Sequence, residues 1–284
     1  MKIIAEPDKM RVYSKIIRKE GRTIGFVPTM GYLHEGHVSL MKAAKKQNDL
    51  LVASIFVNPK QFGPDEDFGK YPRDMARDEE IAQNAGVDVL FCPSGEDMYP
   101  EGYSTYVNVE GLTDGLCGRS RPGHFRGVTT VVMKLLELIR PDMLYLGQKD
   151  AQQAAVITRM VRDLNVDVMV KVLPIVREPD GLAMSSRNMY LGPDERREAA
   201  VLRESLAKAE EMFAGGEMDS KKILRNMSEM ISARSAADID YIKIVDAESL
   251  RDVERINGPA LVALAVRIGK TRLIDNTILD GGDV

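Results

Sequence analysis

The sequence predicts an α/β protein, with a doubly wound parallel sheet followed by a second, smaller α+β domain. Runs rich in Val, Ile and Leu alternate with amphipathic helical patterns as far as about residue 175. This alternation is typical of a parallel sheet with helices on both faces. After the EPDG stretch at 178–181, helical patterns come first and closely spaced strand patterns follow. That order is typical of helices packed on an antiparallel sheet.

The expected elements follow one another along the chain. In the first domain, strand patterns cover 23–28, 50–58, 87–93, 143–147 and 166–176. Helical patterns separate these strands at 36–48, 75–86, 125–141 and 151–165. In the second domain we expect helices at about 193–214 and 219–234, then strands in IDYIKIVDA, ALVALAVRIG and TRLIDNTIL. The prediction is a Rossmann-like domain over 1–175 and a smaller α+β domain over 176–284.

Composition and charge exclude several classes of protein. The 284 residues carry 39 basic and 43 acidic side chains, so no global positive field exists to hold a nucleic acid. No window approaches the ~20 apolar residues of a membrane span, and acidic residues interrupt the start where a signal peptide is apolar. Cys92 and Cys117 have no metal-ligand spacing. We expect a cytoplasmic protein without nucleic-acid or membrane partners, and we assign no metal ligands.

The stretch PTMGYLHEGH at 28–37 contains two of the chain's three histidines. It follows a predicted internal strand, the position where doubly wound sheets bind ligands. Gly31 and Gly36 allow close approach of the backbone, and the helix expected near Gly36 directs its N–H groups and positive dipole end at a bound anion. If helical turns begin at Leu33, His34 and His37 share a face and reach one phosphate chain. The alternative is that His37 caps the helix while His34 is a satisfied loop residue.

Two further segments carry phosphate-binding chemistry. In YLGQKDAQQ, Lys149 follows Gly147 at a strand end, although it is equally read as a solvated charge with Asp150 as a helix N-cap. The segment DGLAMSSRNMYL at 180–191 groups two serines and an arginine in one loop, and such a loop also occurs as plain solvent-exposed chain. Together with the histidines, these segments predict a nucleoside triphosphate site that lacks the Walker pattern GxxxxGK[ST].

Five segments in this order and spacing resemble the pantoate–β-alanine ligase family: PTMGYLHEGH, FVNPKQFGPDEDFGKYPRD, RPGHFRGVTTVV, YLGQKDAQQ and REPDGLAMSSRN. The resemblance covers essentially the whole chain. HEGH and MSSRN match the HxGH and KMSKS-like motifs of nucleotidylyltransferases and class I aminoacyl-tRNA synthetases. Tyr32 and Ala151 depart from the commonest family residues and leave the local pocket shape open. The resemblance implies ATP- and Mg²⁺-dependent joining of pantoate to β-alanine through a pantoyl adenylate, with release of AMP and pyrophosphate.

The resemblance also implies a role for particular residues. His34, His37 and Lys149 would act on the phosphates, with His37 as the acid that helps pyrophosphate leave. Gln61 and Gln153 would hold pantoate, and Gln61 would also lie near β-alanine. The ATP-binding residues would be Met30, Gly31, Tyr32, Leu33, His34, Glu35, Gly36, His37, Gly147, Gln148, Lys149, Asp150, Val176 (through its backbone), Met184, Ser185, Ser186 and Arg187.

Further expectations concern assembly, moving segments, single residues and rival functions. A homodimer, a lid role for the second domain and movement of 61–72 and of the Gly181 segment are implied by the resemblance and by the need to shield an acyl adenylate from water. His124 is expected to hold a turn before a helix, with phosphate binding as the alternative, and Arg126 is expected to face either substrate or solvent. The rival functions are another nucleotidylyltransferase and a nucleotide-binding module without turnover.

Overall fold

The structure, a computed structural model, describes residues 1–64 and 66–281. These residues form two compact units. The first unit consists of Met1–Glu110, Arg121–Gln148 and Gln153–Pro174. The second consists of Gly111–Ser120, Lys149–Gln152 and the described part of Ile175–Val284. Two short segments from the middle of the chain therefore belong to the C-terminal unit.

Helices alternate with strands as far as Leu173, and three helices followed by three strands come after it. The strands are β1 (Lys2–Ile4), β2 (Ile24–Thr29), β3 (Leu50–Ile55), β4 (Val89–Phe91), β5 (Met143–Gly147), β6 (Met169–Leu173), β7 (Ala237–Asp246), β8 (Ala260–Ile268) and β9 (Thr271–Leu279). The helices are α1 (Pro7–Lys19), α2 (Glu35–Gln47), α3 (Met75–Asn84), α4 (Gly95–Met98), α5 (Leu116–Ser120), α6 (His124–Ile139), α7 (Ala151–Asp163), α8 (Pro193–Ala199), α9 (Val201–Ala214) and α10 (Ser220–Ser232). Short 3-10 turns lie at Pro59–Gln61, Asp67–Gly69, Gln148–Asp150 and Ser186–Tyr190.

Strands β1 to β6 form one parallel sheet in the order β1-β4-β3-β2-β5-β6. Strand β2 pairs with β3 on one side and with β5 on the other, so Phe26 lies opposite both Val52 and Leu144. The chain order reverses at this point. Ligands of open parallel sheets bind beyond the carboxyl ends of the strands at such a reversal. The segments that follow β2 and β5 therefore leave the sheet at its ligand-binding edge.

The sheet is stabilised by apolar side chains on both faces. Strand β3 is buried throughout, as expected for a central parallel strand. The core on one side contains Leu33, Met41, Leu51 and Leu90, all fully buried. Leu33, the residue immediately before His34, is thus buried in this core.

The second unit contains an antiparallel sheet of three strands in the order β7-β8-β9. Helices α8 to α10 supply its core together with β8, whose side chains are nearly all buried. The α5 segment contributes Leu116 to a smaller cluster with Val245 and Leu261. No helix among the described residues is long and apolar enough to cross a membrane.

The predicted fold class is confirmed, with two local differences. The elements expected from the sequence did not include β1 and α1. A strand of three residues is too short to show periodicity. Helix α1 is amphipathic, with Met10, Ser14 and Ile17 on its buried face, so the sequence carried a signal for it that was not used. The helix expected at 193–214 is divided into α8 and α9 at Ala200. Gly282, Asp283 and Val284, at the end of the expected second domain, lie outside the described residues.

Candidate active site

The backbone of the Met30–His37 loop is hydrogen-bonded to a buried carboxylate that was not among the residues predicted from the sequence. Asp78, on α3 and only 2% exposed, accepts hydrogen bonds from the backbone N–H groups of Tyr32 and Leu33, each at 2.7 Å. The Gly31 N–H donates to Thr29 Oγ1 at 3.1 Å. One local signal pointed to Asp78, because it lies on the same helical face as the buried Ala82 and Ala85.

The two histidines lie at the start of α2 in an arrangement that differs from both sequence interpretations. The helix begins at Glu35, and His34 is its N-cap in an extended conformation with φ −142° and ψ 175°. Helical turns therefore do not begin at Leu33, which was the condition for the two histidines to share a helical face. Both rings take part in the cap: His34 is the N-cap residue, and its Nδ1 accepts the Gly36 N–H at 3.2 Å. The His34 N–H in turn donates to His37 Nδ1 at 3.3 Å.

This reciprocal cap fixes the protonation pattern of the two rings. The Nδ1 atom is the acceptor in both His34 and His37, so the proton of each neutral imidazole lies on Nε2. The ring centroids are 4.1 Å apart and the planes are tilted by 40°. Two Nε2–H donors on adjacent rings suit the oxygens of one phosphate chain. The Gly36 N–H, which the sequence analysis assigned to a bound anion, is used by the cap.

Gln61 and the histidine loop are brought together. The Gln61 Nε2 lies 3.1 Å from the Met30 Sδ, and the side chain of Gln61 is 8% exposed. Its Oε1 accepts from the Nδ2 of Asn58 at 3.0 Å. Asn58 is itself held by Tyr99, whose hydroxyl donates to the Asn58 Oδ1 at 2.8 Å. Asn58 and Tyr99 thus orient Gln61, and nothing in the local sequence marked them.

The backbone of Gln61 is fixed by a charged network. His124 Nδ1 lies 2.8 Å from the Gln61 carbonyl oxygen, and Arg121 Nη1 lies 3.1 Å from His124 Nε2. Arg121 also forms two hydrogen bonds to Glu66, at 2.7 and 2.6 Å. Burial alone would raise the pKa of the Glu66 carboxyl, but the hydrogen bond from Arg121 and its charge lower the pKa below its usual value. Asp65, within the segment expected to move, lies outside the described residues.

The remaining predicted residues of the first unit lie beside the same sheet edge. Gly147 ends β5 and Gln148 opens the 3-10 turn that follows. Gln153 is half-buried on α7, and its side chain forms no hydrogen bond within the described part of the chain. Arg126, on α6, is exposed, with its guanidinium 3.9 Å from the centre of the Tyr106 ring.

In the second unit, Lys149 is anchored through its backbone. The Nδ2 of Asn276, a buried residue of β9, donates to the Lys149 carbonyl oxygen at 3.0 Å. The Lys149 Nζ lies 4.0 Å from Asp150 Oδ2, and the lysine side chain is 21% exposed. The Lys149 side chain is therefore a half-buried cation whose main chain is fixed by a residue 127 positions away.

Val176 and Met184 are brought together by a tight turn. The Met184 N–H donates to the Val176 carbonyl at 3.0 Å, and Arg177 pairs with Ala183 in an antiparallel bridge. Gly181 lies in the turn with φ +88°, a conformation that side chains rarely adopt. The two predicted nucleotide residues are thus neighbours across the turn.

The serine and arginine residues form a capped 3-10 turn. The Ser185 hydroxyl accepts the Arg187 N–H at 3.3 Å, and Ser186 is buried. Asn188 follows, and its Nδ2 donates to Glu178 Oε1 at 2.6 Å. Arg196 forms two hydrogen bonds to the same carboxylate, at 3.1 and 2.8 Å. This network holds the expected phosphate loop in shape.

No group of three or more His, Cys, Asp and Glu side chains among the described residues is arranged to hold a metal ion. A magnesium ion that arrives with ATP takes most of its ligands from phosphate oxygens and water, and needs only one or two carboxylates. Asp150 supplies one half-exposed carboxylate within the predicted nucleotide segment.

The fold and the site define a class of protein. A parallel α/β sheet carries an HxGH loop at its switch point, with a lysine segment after β5 and a capped MSSR loop in the second unit. These features define a nucleotide-binding α/β protein of the HxGH type.

Comparison with known proteins identifies the family. Residues 2–278 match the model of the pantoate–β-alanine ligase family. The pantothenate synthetases of Heliobacterium modesticaldum and Thermotoga petrophila are 58% and 55% identical to this chain. These matches cover 99% and 98% of this chain and 100% of each relative. The chain therefore belongs to the pantoate–β-alanine ligase family and is an enzyme.

Solved structures give the same result. The pantothenate synthetase of Thermus thermophilus matches with a TM-score of 0.92 and 45% identity, over 98% of this chain and 99% of that chain. The pantoate–β-alanine ligase of Francisella tularensis matches with a TM-score of 0.82 and 36% identity, over 98% and 97%. That second structure is a complex with β,γ-ATP and β-alanine.

Proposed function

We propose that the protein condenses pantoate with β-alanine, using ATP and passing through a pantoyl adenylate. In the first step, a pantoate carboxylate oxygen bonds to the α-phosphorus of ATP and pyrophosphate leaves. In the second, the β-alanine nitrogen bonds to the acyl carbon, the acyl–phosphate bond breaks, AMP leaves and the amine loses a proton. Membership of the family over residues 2–278 supports pantoate as the acid and β-alanine as the amine that accepts it.

The observation that supports the proposal most directly is the 3.1 Å contact between Gln61 and Met30. Adenylate formation requires the acid to lie beside the phosphates, because positioning supplies much of the rate enhancement when two anions react. A thioether is a weak hydrogen-bond acceptor, so the Gln61 amide gains by exchanging Met30 Sδ for a pantoate oxygen. Gln153, whose amide is not engaged within the described chain, would supply the second contact to pantoate.

The charge that develops on the phosphates would be stabilised by fixed donors. His34 and His37 would donate hydrogen bonds to phosphate oxygens from Nε2. As the acid that helps pyrophosphate leave, His37 would act from its protonated, cationic form, the form that loses a proton near pH 6.5 in an ordinary histidine. Lys149 and Arg187 would add positive charge, with hydrogen bonds from Ser185 and Ser186. The remaining contacts to ATP would come from Met30, Gly31, Tyr32, Leu33, Glu35, Gly36, Gly147, Gln148, Asp150, Val176 and Met184.

Magnesium would accompany ATP and be held by Asp150, where it would shield phosphate charge from the incoming carboxylate. We further propose that the enzyme acts in the cytoplasm, and that it forms a homodimer. The second unit would serve as a lid that keeps water from the adenylate. The family resemblance supports the homodimer and the lid, and the cysteine usage of the sequence supports the cytoplasmic location.

The test is exchange of labelled pyrophosphate into ATP with β-alanine absent. We expect exchange that depends on pantoate, since the first step is complete and reversible by itself. His34→Ala and His37→Ala should both slow it, because both residues act before the amine arrives. Amide formation without exchange, with ADP as the product, would falsify the adenylate route. Exchange supported by other acids or alcohols but not by pantoate would indicate a different nucleotidylyltransferase.

A further inference from the structure

The backbone N–H groups around the histidine loop are used within the protein. Tyr32 and Leu33 donate to Asp78, while Gly31 donates to Thr29. The N–H groups of His34 and Gly36 donate to the histidine rings themselves. All five of these N–H groups therefore have acceptors within the protein. Asp78, a side chain outside the loop, accepts from two of them.

Loop geometry explains why a fixed acceptor is needed. Gly31 and Tyr32 are successive left-handed residues, with φ of +83° and +51°. A non-glycine residue such as Tyr32 is strained in this conformation. The Asp78 carboxylate accepts hydrogen bonds from the N–H groups of Tyr32 and Leu33. Charged acceptors form the stronger hydrogen bonds. A Cβ atom at Gly31 would lie 3.0 Å from both Asp78 Oδ2 and the Ile55 side chain. The loop is thus fitted closely against this carboxylate.

Helix α3 contacts the same loop a second time. The Arg77 guanidinium lies 4.8 Å from the centre of the Tyr32 ring, and its Nη1 is 3.6 Å from Asp78 Oδ1. Burial raises the pKa of the Asp78 carboxyl above its usual value, and the N–H groups of Leu33 and Tyr32 and the Arg77 charge oppose that shift. A buried carboxylate that costs free energy to ionise is retained where its negative charge has a role.

We propose that Asp78 is a positioning residue for His34 and His37. By binding the N–H groups of Tyr32 and Leu33, the carboxylate sets the backbone immediately before His34. That backbone places His34 in the extended conformation from which its Nδ1 caps Gly36 and its N–H reaches His37 Nδ1. Asp78 thereby holds both imidazoles with the proton on Nε2. The inference rests on the proposed function for its consequence in catalysis.

The experiment compares Asp78→Asn with Asp74→Ala. The asparagine is nearly the same size but has one acceptor oxygen, so its NH₂ group faces a backbone N–H and repels it. Asp74 is the N-cap of the same helix and accepts the Arg77 N–H at 3.1 Å. Its loss weakens α3 without touching the loop, which makes it the matched control.

Two readouts are measured. The first is pyrophosphate exchange, where Asp78→Asn should lower the maximal rate at least about tenfold and raise the Michaelis constant for ATP. Asp74→Ala should change the rate less than about twofold. The second is the imidazole nitrogen NMR spectrum, which contains signals from only 3 histidines. Asp78→Asn should shift the signals of His34 and His37 and leave His124 unchanged.

The NMR readout needs no substrate, so it tests Asp78 even if the wild-type enzyme shows no exchange and the proposed function fails. Equal exchange rates in the two folded variants, or unchanged His34 and His37 signals in Asp78→Asn, would overturn the inference. If Asp78→Asn does not fold, Asp78→Glu gives the same comparison. It keeps both acceptors but displaces them by one methylene, and it should move the same two histidine signals.

Discussion

At the scale of single residues, the predicted site consists of residues that hydrogen-bond and ion-pair partners hold in place. Lys149 is the clearest case, because the Asn276 amide fixes its carbonyl while Asp150 lies near its Nζ. Gln61 is oriented in the same way by Asn58. Fixed donors and cations need no reorganisation when charge develops in a transition state, which is why their positions matter more than their number.

Replacement of Lys149 should therefore impair chemistry and leave the fold intact. Lys149→Ala should lower turnover by a factor of about 10² or more, because a positioned cation on developing phosphate charge contributes several kcal/mol. The measurement is steady-state turnover together with a circular dichroism spectrum. Lys208→Ala is the control, since Lys208 forms an exposed pair with Glu211 in the same unit. Near-normal turnover in Lys149→Ala would remove Lys149 from the proposed site.

At the scale of elements, the 3-10 turn Pro59–Gln61 packs directly on α6 at a glycine. A Cβ atom on Gly127 would overlap the Lys60 carbonyl oxygen and approach the Gln61 Cα. The Gly127 carbonyl also accepts from Asn58 Nδ2 at 3.1 Å. Close approach of the two backbones therefore sets the position of Gln61.

We expect Gly127→Ala to separate these elements. Overpacking of this kind costs about 1–3 kcal/mol of unfolding free energy. It should also raise the Michaelis constant for pantoate more than that for ATP, because Gln61 moves with the turn. Denaturation and steady-state kinetics measure the two effects. Gly95→Ala serves as control, since a Cβ there meets no atom within 4 Å. Unchanged kinetics and stability in Gly127→Ala would contradict this explanation of how Gln61 is placed.

At the scale of the whole molecule, neither cysteine lies in a setting that suits it to carry an acyl group. It has 2 cysteines. Burial raises the pKa of the Cys92 thiol to about 11, which suppresses the reactive thiolate. Cys117 is buried with its sulfur 3.2 Å from the Tyr241 hydroxyl. This supports the proposed pantoyl adenylate, in which AMP carries the acyl group, over a thioester on a cysteine.

A variant with both cysteines replaced should remain active. Cys92→Ala with Cys117→Ser should keep turnover within about threefold of the wild type, because neither thiol takes part in acyl transfer. Phosphorus NMR of the reaction should show AMP and pyrophosphate in equal amounts in both enzymes. Loss of turnover in a folded double variant would point to a thioester and against the adenylate.

The amino-acid sequence was sufficient to predict the fold class and the family, while the phosphate-binding segments stay a prediction. Alternating strand and helix patterns predicted the parallel sheet, and this prediction is confirmed. The roles of His34, His37, Lys149 and the two glutamines stay predictions. Periodicity and motif spacing are local properties, so they can be read along the chain.

The assembly of the site, in contrast, depends on tertiary contacts. That His34 caps α2 in an extended conformation, that Asp78 takes the N–H groups of Tyr32 and Leu33, and that Asn276 holds Lys149 are all features of the folded chain. The partners lie 46 and 127 residues apart in the last two cases. A buried polar side chain is retained only where folding brings it a hydrogen-bond partner, and local sequence does not encode which partner arrives.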